Sequence, residues 1–203
     1  MAHVRKKVMF SVTREDLDEA LRDGIDPAEI KRMADLWNRK ERLVGEIKEA
    51  FAGVTLGDGI GLLEADSLDT CTDPDKTREA RKQDERDSWQ RIAESDLSWG
   101  GFSQKLCFTD AEGFRFLIPA FMLAELNTYC LHDDTLLHLS HRRDDREGMY
   151  SLLNASQLGA IVDYLRLHLD IPSSKWFHEA ITEALRALWI PLLEKTKAEP
   201  AAP

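Results

Sequence analysis

Cysteine is scarce in this chain: Cys71, Cys107 and Cys130 are the only three, an odd number without C-x-x-C spacing. That pattern argues against a disulfide framework and suits free thiols in a reducing compartment, so the cytoplasm is the expected location. Long apolar runs are missing too. After the basic Arg5-Lys6-Lys7, the stretch Val8 to Val12 is too short for the apolar region of a signal peptide. No segment approaches the roughly 20 apolar residues a membrane helix needs. Positive charge is short as well, with 27 Lys and Arg against 37 Asp and Glu, a net charge of −10. This balance opposes binding to a polyphosphate, and no basic stripe interleaved with aromatics offsets it, so nucleic acid is not an expected partner.

What remains is enough for a core: 203 residues, 43% of them apolar, fit one domain or a domain with an added arm. The surplus negative charge is concentrated. Residues 53–101 carry twelve Asp and Glu against six Lys and Arg, whereas the first 52 residues balance at eleven each. Such a concentration suits a metal site, a face for a basic partner, or solubility.

Asp26-Pro27 reads as an N-cap with proline at the first helical position, and Ile30, Met33, Trp37, Val44, Ile47 and Phe51 recur at helical spacing after it. The stripe lapses at Lys40-Glu41. Residues 1–40, with a short helix from Arg14 to Arg22 capped by Thr13, therefore read as a helical extension and a candidate homodimerisation arm; residues 41–197 read as the domain and 198–203 as a frayed tail. Glycines at 53, 57, 59 and 61 make a loop, but no strand precedes it and acidic residues follow where phosphates would sit, so it is not a dinucleotide fingerprint. Asp73-Pro74 caps another helix, reaching about Arg86.

From Phe102 the spacing shifts to two. Phe102, Gln104, Leu106 and Phe108, a turn at Asp110-Ala111-Glu112-Gly113, then Phe114, Phe116 and Ile118 predict a hairpin, with Pro119 opening a buried helix to Leu131 and Leu136 to Ser140 as a third strand. Asn154 and Gln157 resemble a capping box for a helix carrying Leu158, Ile161, Val162, Leu165 and Leu169. A last helix runs from Ser174 to about Lys195 with a kink at Pro191. The predicted fold is α+β, mainly helical, with a small two- or three-stranded antiparallel sheet.

The candidate chemistry lies in the acidic stretch. Glu64, Asp66 and Asp69 fall within one and a half helical turns and can converge with Asp84, Glu85 and Asp87; six hard oxygen donors suffice for Mg²⁺ or Ca²⁺ and for activating water. The spacing matches no EF-hand, and Arg78, Arg81 and Arg86 are near enough to neutralise the acids, so no metal or other cofactor is the preferred reading. Cys130, His132, His138 and His141 form a softer ligand set without zinc-knuckle spacing, and Cys107 and Cys130, in apolar surroundings, read as packing thiols.

The run Ala50-Phe51-Ala52-Gly53-Val54-Thr55-Leu56-Gly57-Asp58-Gly59-Ile60-Gly61-Leu62-Leu63-Glu64-Ala65, with Asp84-Glu85-x-Asp87-x-Trp89 and Phe108 to Phe121, resembles an uncharacterised bacterial domain of unknown function over about Ile47 to Ile171. The predicted hairpin followed by Pro-Ala-Phe and a helix is similar to small bacterial immunity proteins. The resulting expectation is a non-enzymatic protein-binding module, immunity-type, that presents Glu64, Asp66, Asp69, Asp84, Glu85 and Asp87 to a basic protein partner, with Trp37 or Trp99 as anchor. The alternative is a metal-dependent hydrolase built on the same six carboxylates.

Overall fold

A computed structural model describes residues 14–70, 73–92, 97, 105–127, 133–141 and 148–198. Helix α1 (Arg14–Arg22) turns through Gly24, at φ +73°, into α2 (Pro27–Ala50), whose first turn is capped by the Asp26 carboxylate accepting from the Ala28 N–H at 2.9 Å. At 1.5 Å per residue α2 is about 36 Å long. It runs unbroken through the lapse in its apolar stripe: Lys40 lies buried along its stem, with Nζ 3.5 Å from Glu41, so a lysine occupies an inward position there. Thr13 lies outside the described residues.

Two short helices follow, α3 (Leu62–Asp69) and α4 (Pro74–Gln83). The Asp73 side chain caps α4 at the Asp75 N–H, and the helix stops at Gln83 because Asp84 turns extended. Helix α5 (Ala111–Asn127) is the central element, with Phe114, Phe116, Leu117, Ile118, Phe121, Met122 and Leu126 buried on every side. Around it lie α2, α6 (Asp133–Ser140) and α7 (Ala155–Leu169). Helix α7 starts with a reciprocal capping box: Asn154 Oδ1 accepts from the Gln157 N–H at 2.9 Å, and Gln157 Oε1 from the Asn154 N–H at 3.1 Å.

The last described elements are α8 (His178–Ala184), a π-helical segment Leu185–Trp189, and α9 (Ile190–Ala198). The expected kink at Pro191 takes the form of this π insertion. Proline lacks an N–H and its ring crowds the carbonyl four residues back; widening the preceding turn gives it room. Trp189 is fully buried there and donates its indole N–H to the Leu139 carbonyl at 2.8 Å, tying the C-terminal helices to α6. Among the described residues, no helix is long and apolar enough to cross a membrane.

The α+β expectation is overturned: the described residues contain no strand, and the fold is all-α. Asp110 is an N-cap rather than a hairpin turn. Its Oδ1 accepts from the Gly113 N–H at 2.8 Å and its carbonyl from the Phe114 N–H at 2.8 Å. Alternation of Phe114, Phe116 and Ile118 is visible on paper, but Leu117 is equally buried, and an apolar run this long fits a helix buried all round better than a strand. Pro119 sits inside α5, not at its start. The expected third strand is α6, where Leu136 and Leu139 are buried at helical spacing. Residues 105–108 form a 3-10 turn, while residues 102–104 and Leu131 lie outside the described residues. The likeness to immunity proteins rested on the hairpin and falls with it.

Candidate functional site

The glycine loop is a cradle for cations, not anions. Its carbonyls face two arginines: Arg81 donates to the Asp58 oxygen at 2.6 Å, and Arg86 donates to the Gly57 and Gly59 oxygens, the latter at 3.2 Å. Its N–H groups are taken from the other side, Ile60 by Asp110 Oδ1 at 3.1 Å. A phosphate loop needs the opposite polarity. The glycines permit close packing. A Cβ at Gly59 would lie 2.6 Å from Glu112 Cβ, and one at Gly61 would lie 2.2 Å from Asp84 Cγ.

That last approach explains Asp84. It is only 8% exposed and accepts from the Leu63 N–H at 2.7 Å and the Glu64 N–H at 3.2 Å, so it caps α3 from 20 residues away in sequence. Gly61 stands at the N-cap position and has no side chain to do so. Burial raises the Asp84 pKa above the usual carboxylate value, against the opposing pull of the Leu63 and Glu64 N–H groups. Asp84→Ala is expected to cost about 1–2 kcal/mol in urea denaturation, because two N–H groups at a helix start lose their acceptor.

The other predicted carboxylates are mostly committed, each to its own partner. Glu64 pairs with Arg81 at 2.6 Å, which raises the Arg81 pKa, and Asp66 lies 3.3 Å from the buried Lys105 Nζ. Glu85 accepts from the Asp87 and Ser88 N–H groups at 2.9 and 3.1 Å, which lowers its pKa, and sits 3.6 Å from Arg91. Asp87 is exposed, 3.8 Å from Arg91, while Asp69 is half-buried at the end of α3. The six are thus dispersed over a braced loop-and-helix unit. No group of three or more His, Cys, Asp or Glu side chains among the described residues is arranged to hold a metal ion. Trp89, buried, donates its indole N–H to the Phe51 carbonyl at 2.9 Å and fixes this unit to the end of α2.

Charge without a counter-ion lies elsewhere. A groove between α2 and α7, about 590 Å³ in volume, is walled by Glu46, Glu49 and Asp163, with Asn154 and Ser156 at one end and Ala50, Gly159 and Ala160 along its floor. Glu46 and Glu49 make no ion pair among the described residues, while Asp163 pairs with Arg166 at 3.3 Å. Glu46 and Asp163 also line an adjoining hollow of about 220 Å³ with Arg39, Arg42 and Arg166, of which Arg39 pairs with Asp170 at 2.6 Å and Arg166 with Asp163. Sequence reading missed these residues because they lie off the apolar stripes, where charge passes for an ordinary solvated face.

Trp176 was missed as well. It is 84% exposed in the 3-10 turn Pro172–Phe177, with Lys175 Nζ 5.2 Å from its ring centroid. Of the tryptophans expected to anchor a partner, Trp37 is half-buried and Trp99 lies outside the described residues. His138 is buried and stacked on Phe114, His141 is exposed, and Cys130 and His132 lie outside the described residues.

The chain belongs to a family of unknown function (DUF6714), which matches residues 39–193. No curated protein and no solved structure matches it.

Proposed function

We propose that the chain is a non-enzymatic protein-binding module whose docking face is the groove between α2 and α7 and whose partner presents a basic helical segment. The observation that carries this is the pair Glu46 and Glu49, exposed and without an ion pair among the described residues, on the wall of a groove floored by Ala50, Gly159 and Ala160. Small floor residues admit a backbone closely. Two nearby unneutralised carboxylates draw lysine and arginine side chains, and Arg42 in the adjoining hollow, which makes no ion pair among the described residues, orients the segment by repelling them. The acidic stretch after Gly53 serves this reading less well, since most of its carboxylates already hold a cation or a backbone N–H.

The test is anisotropy of a labelled lysine-rich amphipathic peptide at low salt. Glu46→Lys combined with Glu49→Lys is expected to weaken binding about tenfold and to flatten its salt dependence. Asp69→Asn with Asp87→Asn, on the other acidic surface, is expected to change affinity by less than about twofold. Equal losses from both pairs would reject the groove as the docking face.

A further inference from the structure

The chain itself carries a segment whose charge matches the groove between α2 and α7. Residues 1–13 hold Arg5, Lys6 and Lys7 and no Asp or Glu, the opposite of the Glu46 and Glu49 wall. These residues lie outside the described ones, but the point where they join the domain does not: Arg14 opens α1. Helix α1 packs against α2 and is joined to it by only four residues, Asp23 to Asp26, so the two are antiparallel neighbours. Residue 13 therefore enters α1 from the direction of the C-terminal half of α2, where the groove lies.

Length decides whether the cations arrive. Helix α1 carries the chain about 12 Å back along α2 and brings Arg14 level with about Asp35. Glu46 and Glu49 lie about 17 and 21 Å further along the same helix. The seven residues from Lys7 to Arg14 span up to about 23–25 Å when extended, so Lys7 reaches both carboxylates, and Lys6 and Arg5 reach them with slack. Along α2 the hollow lined by Arg42 comes before the groove, and the residues that pass it, Val8 to Thr13, are uncharged. Exposed ion pairs are weak between free molecules. A tether of a few residues changes this by holding the segment at an effective concentration of the order of millimolar.

We propose that Arg5, Lys6 and Lys7 occupy the Glu46 and Glu49 carboxylates of their own chain until a partner's basic segment displaces them, a regulation that rests on the groove serving as the docking face. The chain thereby screens its own binding site, and only a partner more basic or better fitted than this segment gains access.

The experiment follows trypsin cleavage after Arg5, Lys6 and Lys7 in the full chain at low salt, read by mass, with an isotope-labelled synthetic peptide of residues 1–13 digested in the same tube as reference. Cleavage of the chain relative to that peptide is expected to rise about fivefold in Glu46→Lys combined with Glu49→Lys, to reach the same level in the parent at high salt, and to stay unchanged in Asp69→Asn combined with Asp87→Asn. Glu46→Gln with Glu49→Gln, which removes the charge without reversing it, is expected to give an intermediate rise and separates lost occupancy from a fold disturbed by the new lysines. In a second arm, Lys6→Glu with Lys7→Glu in the full chain is expected to bind the labelled lysine-rich peptide about threefold more tightly, because the groove is vacated. Equal cleavage in the parent and in both Glu46 and Glu49 variants overturns the proposal, and leaves the groove standing as a docking face if those variants still weaken peptide binding. Unchanged peptide affinity in Lys6→Glu with Lys7→Glu, where Glu46→Lys with Glu49→Lys weakens it, overturns the proposal as well. Cleavage that responds to Glu46 and Glu49 while peptide affinity does not upholds the contact within the chain and rejects the groove as a partner's docking face.

Discussion

Gly113→Ala is expected to destabilise the chain by at least about 3 kcal/mol, lowering the melting temperature by roughly 6–12 °C for a chain of this size. A Cβ at this position would lie 2.1 Å from the Ile60 carbonyl oxygen and 3.0 Å from Asp110 Oδ1. The first obstacle is backbone, so no rotamer change relieves it. Relief requires the glycine loop and the first turn of α5 to separate, which breaks the bond from the Ile60 N–H to Asp110 and loosens the loop's grip on Arg81 and Arg86. The contrast is Gly45, exposed in the middle of α2, where an added Cβ meets nothing within 4 Å. Gly45→Ala is expected to stabilise by about 0.5–1 kcal/mol through helix propensity and lost unfolded-state freedom. Urea denaturation of the two variants decides the matter: a Gly113→Ala chain within about 1 kcal/mol of the parent would show that the contact between loop and helix is not rigid.

The same contact explains what could be read from the sequence. Caps whose partners lie two or three residues away, Asp26 to Ala28, Asp73 to Asp75 and Asn154 with Gln157, were legible because donor and acceptor are neighbours in the chain. Asp110 uses the same local chemistry, yet Asp-Ala-Glu-Gly also spells a turn, and the choice between cap and hairpin depends on the burial of α5 on all sides. Period alone does not decide that for a run apolar on every face. The acidic cluster was legible in part for a related reason. Arg81 is near enough in sequence to be expected as a partner for Glu64, but Lys105 beside Asp66 and the start of α3 beneath Asp84 are brought in by tertiary folding. The stretch Gly57 to Glu64, with Asp84 and Trp89, is therefore a record of packing: glycines that admit close contacts, a carboxylate that caps from a distance, and an indole that hydrogen-bonds to the end of α2.

Stability is expected to fall by about 2 kcal/mol between pH 6.5 and pH 5 through one residue, His168. It is fully buried on α7, its Nδ1 3.0 Å from the Ser174 hydroxyl and its ring 4.6 Å from Tyr164. Burial first, and the nearby His178 second, lower its pKa from 6.5 to about 3. Above pH 6.5 neither the folded nor the unfolded chain carries a proton there, and stability is level with pH. Between 6.5 and about 3 the unfolded chain binds the proton and the folded one does not, so each unit of acidification favours unfolding by up to about 1.4 kcal/mol; below about 3 both are protonated and the loss is complete. Carboxylates titrate in the lower part of this window, so the measurement is a difference. Urea midpoints of the parent chain and of His168→Gln, taken at pH 7.5, 6.5, 5.8 and 5, should converge on acidification as the parent loses what the variant never had. The region at stake joins α7 to the Pro172–Phe177 turn that carries Trp176, and loss of the His168 to Ser174 bond frees that turn first. Parallel pH slopes for the parent and His168→Gln would mean that the buried imidazole already accepts its proton in the folded chain.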